Sequence, residues 1–216
     1  MASLVGGVVL AADNELTADE RAEGWILLFN GHDLATWKNN VDKPVAATID
    51  DGSINVHNTG GYLLIYDEPF DNFIFKCDVK MCPPECNSGV FVRTSDLADP
   101  INTAFEVQVY DGKSDPMHDF GAIYDLVAPS KDARNGPGKW NALEIRCDGP
   151  RIAVKVNGLD VAQLDTDDYP EPGLRPDGTR HKFNNRAIKD FARKGYVGLQ
   201  DHGFDVWYKN IKLKKL

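Results

Sequence analysis

Thr103-Ala104-Phe105-Glu106-Val107-Gln108-Val109-Tyr110-Asp111 has the alternation of a half-buried β-strand, in which successive side chains point to opposite faces. Val107 and Val109 fall on one face; Glu106, Gln108 and Tyr110 fall on the other. A strand that buries valines on one side and offers a carboxylate, an amide and a phenol on the other is suited to lining a polar cleft. The same stretch, taken alone, also fits a surface strand with a solvated outer face, since antiparallel sheets often have one wet face.

The neighbouring segments read as further strands. Phe73 to Lys80 alternates cleanly, with Phe73, Phe75, Cys77 and Val79 inward. Trp25 to Phe29, Tyr62 to Tyr66, Gly89 to Arg93, Gly195 to Asp201 and Val206 to Leu213 are strand-like runs. Asp51-Gly52, Asp148-Gly149 and Asn157-Gly158 are hairpin turn signals. Gly121 to Tyr124 reads as a short strand or turn within a long loop, and Asp165 to Arg180, rich in Pro, Asp and Gly, as a loop. Asn185 to Lys194 is expected to be one short helix, with Ile188, Phe191 and Ala192 at helical spacing. Many short strands with almost no helix predict an all-β sandwich or jelly roll.

With 216 residues, 42% hydrophobic, the chain suffices for one large β domain, placed at residues 24–216. A formal charge of −9, with no basic cluster interleaved with aromatics, argues against nucleic acid as a partner. No apolar run approaches a membrane span. Leu4 to Ala12 is short, apolar and ends in small residues, so residues 1–12 read as a clipped secretory signal lacking its positive region. Export to the periplasm or the extracellular space is expected, and residues 1–13 are expected to pack against nothing. Residues 13–23 form a polar lead-in with one helical turn capped by Thr17 or Asn14. Cys82 and Cys86 flank Pro83-Pro84-Glu85 and suit a small disulfide-closed loop in an exported protein; Cys77 and Cys147 read as buried thiols.

Leu28-Phe29-Asn30-Gly31-His32-Asp33-Leu34 with Trp37, Asn87 to Arg93, Phe105 to Val109, Gly121 to Tyr124, Gly138 to Asn141 and Gly195 to Gly203 together resemble, in order, the sequence blocks of the 3-keto-disaccharide hydrolase family. The resemblance implies a concanavalin A-like jelly-roll β-sandwich of two antiparallel sheets. It also implies an exported enzyme acting on sugars whose C3 hydroxyl has been oxidised to a ketone. The Cys82 to Cys86 insert and the Asp165 to Arg180 loop depart from the family pattern.

Strand parity assembles a candidate site. Arg93 is expected to project with Phe91, and His202 with Gln200; with Glu106 and Gln108 these give Arg, Glu, two amides and His from three strands. Glu106, His202 and Arg93 are the candidate catalytic groups. Gln108, Gln200, Tyr124, Tyr110, Asn87 and Asp111 are candidates for binding substrate, and Tyr110, Tyr124, Phe91 and Trp37 for stacking on a sugar ring. A C3 ketone acidifies the C2 proton, so a base can drive elimination of the C1 leaving group and water can then add. From the sequence Glu106 and His202 are interchangeable as base and acid, with Arg93 beside the enolate. No cofactor is required, but Glu106 and His202, with Asp111 or Asp125, admit a divalent cation. Two alternatives stand beside this chemistry. One is a glycan-binding module without turnover. The other is a retaining glucanase, in which Glu106-x-Gln108-x-x-Asp111 would hold the two carboxylates.

Overall fold

The computed structural model describes residues 12–113, 115–183 and 186–216. The lead-in holds α1 (Ala18–Ala22), started by a reciprocal capping box between Thr17 and Glu20 that satisfies two amides a helix start leaves unpaired. Thr17 is therefore the cap. Asn14 instead exchanges hydrogen bonds with Asn210. Residues 1–11, most of the segment expected to pack against nothing, lie outside the described residues; Asp13, at its end, is held by Lys209 and Asn210.

The strands follow in order: β1 (Trp25–Leu27), β2 (Trp37–Asn39), β3 (Thr48–Asp50), β4 (Ser53–Asn55), β5 (Leu63–Tyr66), β6 (Phe73–Met81) and β7 (Asn87–Thr94). After a short helix, α2 (Pro100–Thr103), come β8 (Phe105–Tyr110), β9 (Asn141–Asp148), β10 (Arg151–Val156), β11 (Leu159–Asp165), β12 (Tyr196–Gln200) and β13 (Val206–Lys215). The β3–β4 turn places Asp51 and Gly52 at φ 47° and 70°, the left-handed pair that a tight hairpin needs.

Among the described residues one sheet has eight strands, ordered β11-β10-β9-β6-β13-β4-β3 with β1 also on β13; the other has five, ordered β2-β5-β12-β7-β8. Every pairing is antiparallel. Between the sheets lie Phe73, Phe75, Cys77 and Val79 of β6, Val90 and Val92 of β7, Val107 and Val109 of β8, and Val197 and Leu199 of β12. This is a jelly-roll β-sandwich, and the alternation of β6 and β8 has its expected sense. No helix among the described residues is long and apolar enough to cross a membrane.

Two local expectations change. The segment expected to be helical, 185–194, has only a 3-10 turn, Ile188–Asp190, after which Phe191 is extended; residues 184 and 185 lie outside the described ones. One 3-10 turn puts i and i+3 on the same side, so the spacing of Ile188 and Phe191 is satisfied without further helix. Phe191 then packs its ring on Phe105 and Phe183. Cys82 and Cys86 form a disulfide with Cα atoms 5.8 Å apart, closing the connection from β6 in one sheet to β7 in the other. Cys77 and Cys147 are free and buried, and desolvation pushes both thiols up, Cys147 to about 12.

Candidate active site

Register decides what the five-stranded sheet shows on the face turned away from the core. Directly paired residues share a face, and the pairs Gly89↔Gln108, Phe91↔Glu106, Leu63↔Gln200 and Ile65↔Gly198 all lie opposite the buried valines. Leu63, Ile65, Phe91 and Ala104 form a separate apolar cluster there, covered by Tyr62, Leu97 and Tyr196. Beside that cluster lie Glu106, Gln108 and Gln200. They are nearly inaccessible, Glu106 at 6% and the two amides at 2%.

Glu106 is paired with Phe91 of β7, and its carboxylate leans along that strand over Gly89, into space that a Cβ there would take. Its Oε1 accepts from Gln200 Nε2 at 3.2 Å, and that same amide nitrogen donates to the Tyr62 hydroxyl. Its Oε2 lies 3.7 Å from Lys182 Nζ. Desolvation dominates and raises the Glu106 carboxyl to about 7, against the opposing pull of Lys182 and Gln200. Burial, reinforced by the Glu106 charge, pushes the Tyr62 phenol up to about 12. Burial also lowers the Lys182 ammonium, with Glu106 and Asp125 acting against it. The outcome is a carboxyl poised near neutrality beside a partly desolvated cation, the setting in which acid–base groups operate.

Lys182 arrives on the 171–183 segment, which is closed on itself by the Leu174↔Arg180 bridge and the His181 N–H donated to Gly173 O. Its ammonium sits 4.5 Å from the centroid of the Tyr124 ring, which stacks on His118 at 4.3 Å. The Tyr124 N–H donates to Glu106 O, so this aromatic pair is tied to β8. Gln108 Nε2 donates to Asn87 Oδ1 at 2.9 Å. The Oε1 atoms of Gln108 and Gln200 are buried and accept no hydrogen bond from the described residues, a combination that folded proteins seldom leave without a use.

The residues expected to converge divide into two groups. Glu106, Gln108, Gln200, Asn87, Tyr110 and Tyr124 gather at this face. Arg93 does not. It takes φ 55° in a bulge where the pairing shifts from Gly198↔Phe91 to Tyr196↔Thr94. The extra residue breaks strand parity. Its side chain, 1% exposed, instead donates to the carbonyls of Gly149 and Asp71 and to Asn72 Oδ1. His202 lies beyond the end of β12, exposed, its ring against Phe204 rather than Glu106. Asp201, which follows Gln200, accepts from the Thr59 and Gly203 amides and turns the chain away.

Asp111 lies past β8 beside Arg134, which donates to the carbonyls of Tyr110, Asp111 and Gly112. Trp37 is in the main core, donating to Leu28 O, and Phe91 is buried beneath Tyr62; neither offers a ring to a ligand. Asp125 accepts from Arg175 and from the Lys182 amide. Among the described residues no three His, Cys, Asp or Glu side chains are grouped to hold a metal ion, and Glu106 and His202 form no ligand pair. The charged side chain paired with Glu106 is the Lys182 ammonium, whereas Asp111, the second carboxylate of the retaining-glucanase reading, lies past the end of β8.

Lys182 and Tyr62 are the residues that strand reasoning missed. Tyr62 opens the run read as a strand, one residue before β5 begins, and its contact with Gln200 depends on register. Lys182 lies within Arg180-His181-Lys182, a basic triplet in an acidic chain, which is the only trace of its role along the sequence.

Comparison with known proteins agrees with this fold. A curated relative, the 3-keto-disaccharide hydrolase of Bacteroides thetaiotaomicron, is 27% identical over 233 aligned positions covering 90% of this chain and 79% of the relative. Two solved Parabacteroides distasonis proteins, provisionally described as glycosyl hydrolases, are similar. One matches at TM-score 0.79 and 28% identity, covering 89% of this chain and 99% of that one. The other matches at 0.76 and 27%, covering 95% and 100%. Residues 24–214 match the model of the 3-keto-alpha-glucoside-1,2-lyase-like domain, and the chain belongs to that family.

Proposed function

We propose that this protein cleaves the glycosidic bond of 3-keto-glycosides, 3-keto-disaccharides among them, by elimination followed by hydration, with Glu106 as the base at C2. The observation that carries the proposal is the buried Glu106 carboxyl, raised to about 7 and paired with Lys182. The ketone makes the C2 proton acidic, and Glu106 takes it. The electron pair passes to the C3 oxygen as an enolate, beside the Lys182 ammonium, which takes the place expected for Arg93. Collapse of the enolate forms the C1=C2 bond and breaks the bond from C1 to the leaving oxygen, which takes a proton from water. The resulting hydroxide adds at C1, Glu106 returns its proton to C2, and the sum is hydrolysis. The unpartnered Gln108 and Gln200 oxygens are acceptors suited to sugar hydroxyls. The disulfide supports work in an oxidising compartment, periplasmic or extracellular.

The test is incubation with 3-keto and unoxidised forms of the same disaccharides, with and without chelator, following released monosaccharide. Release is expected from the 3-keto form alone. Glu106→Gln, nearly isosteric, should lower the rate roughly 10²–10⁴-fold. Binding with no release would make the protein a glycan-binding module, and turnover of the unoxidised sugar would make it an ordinary glycosidase.

A further inference from the structure

We infer that Asp125 is a positioning residue that fixes the Lys182 ammonium against Glu106 by clamping the 171–183 segment. Asp125 follows Tyr124 and holds φ 57°, a conformation that aspartate tolerates better than most residues. Both of its carboxylate oxygens are engaged. Oδ2 accepts from the backbone N–H of Lys182, and Oδ1 accepts from Arg175 Nη2 at 2.6 Å. Arg175 also donates twice to the Asp125 carbonyl and once to Thr179 Oγ1. One residue thus holds the segment at both ends of its turn, Arg175 on the way out and Lys182 on the way back. A charged, two-point attachment of this kind is stronger and more directional than a neutral one. Without it, the Lys182 backbone loses the bond that sets the side chain's starting point, and the 3.7 Å approach to Glu106 loses its anchor.

The clamp rests on the proposal that Glu106 and Lys182 form the working pair, so its test must separate the two. Titratable groups facing Glu106 are Lys182 from the clamped segment, Tyr62 before β5, Tyr124 from the 121–127 turn, and Tyr208 of β13 across the sheet. Around Lys182 stand Glu106 and Asp125, and Arg175 and His118 face Asp125. Removing a carboxylate from this neighbourhood would, by direct electrostatics, lower the Glu106 titration point. Releasing Lys182 would raise it, because a cation within about 4–6 Å holds a carboxyl down by about 1–3 pH units. The two effects have opposite signs.

The measurement is the Glu106 titration point, followed by carboxyl-carbon NMR on the full chain with Glu106→Gln to assign the signal. It is made for the parent, Lys182→Met, Asp125→Ala and the double variant. Lys182→Met and Asp125→Ala should each raise the point by about one pH unit, and the double variant should add nothing further. In kinetics with a 3-keto-glycoside, Asp125→Ala should lower kcat about as much as Lys182→Met does, with less effect on KM. If Asp125→Ala lowers the point or leaves it unmoved while Lys182→Met raises it, the clamp is wrong and the pair stands. If Lys182→Met leaves it unmoved, the pair itself is wrong. Should Asp125→Ala fail to fold, Asp125→Asn replaces it, because one amide oxygen cannot serve both Arg175 and Lys182. The same upward direction is then expected, and a downward one overturns the clamp.

Discussion

A Cβ built on Gly89 would sit 2.7 Å from Glu106 Oε1 and 2.9 Å from its Cγ. No rearrangement of the glycine's own backbone is at issue, since its φ is not in the left-handed range. The space itself is what the carboxylate occupies. Gly89→Ala should therefore keep the sandwich but push Glu106 off Gln200 and Lys182. A displacement of this size costs about 10²-fold when it misplaces a reacting group. Turnover of a 3-keto-glycoside at the parent rate, with the Glu106 titration point unmoved, would show that the carboxylate does not need this position. At this scale the sequence was partly informative. Alternation on β8 placed Glu106 and Gln108 correctly, because side-chain direction in a strand is a two-fold property of the backbone. It could not show that a glycine one strand away leaves room for one of them.

Within β7 the same two-fold rule fails, and the cause is one residue. The bulge at Arg93 turns a side chain expected beside the substrate into one that spans the end of the sandwich, donating to the Gly149 and Asp71 carbonyls. Arg93→Met keeps most of the aliphatic volume and removes those charge-assisted bonds, so it should lower stability by about 2–3 kcal/mol. Its kcat/KM on a 3-keto-glycoside should stay within a few-fold of the parent. A collapse of turnover with unfolding unchanged would return Arg93 to the chemistry. Elements legible in the sequence were those with local signals: alternating strands, Asp-Gly and Asn-Gly hairpins, and a capped helical turn in the lead-in, though not which of Thr17 and Asn14 caps it. The bulge is a property of how β7 meets β12, and the Lys182 segment of how a loop lands on a sheet, so neither leaves a periodic signature. The 188–191 spacing was real, but it was consistent with a single turn as well as with a helix.

For the molecule as a whole, Glu106 links the site to stability. Its folded-state value is raised to about 7 from an ordinary 4.5, so between those values the folded protein binds more protons than the unfolded chain. The stabilising contribution of the protonated group is fully present below 4.5. It is lost as pH rises through about 7. A difference of this size corresponds to on the order of 3 kcal/mol, most of it between pH 5 and 8. Urea unfolding at those two pH values should show the parent losing about 2–3 kcal/mol more than Glu106→Gln. Parallel losses in the two proteins would mean that Glu106 is not desolvated as described. The overall sandwich was the most legible feature of all, because a core built from alternating strands repeats its signal many times along the chain.

The two halves of the proposed working pair have different foundations. Glu106 stands on a strand whose other face is the hydrophobic core, whereas Lys182 is delivered by a surface segment pinned at Asp125. Exchange of residues 171–183 for a loop of another length or sequence would leave the fold and the carboxylate in place, and surface loops tolerate such exchange far better than strands do. In a lineage of such proteins the proposed base would be inherited with the scaffold, while its proposed cationic counterpart would be free to diversify.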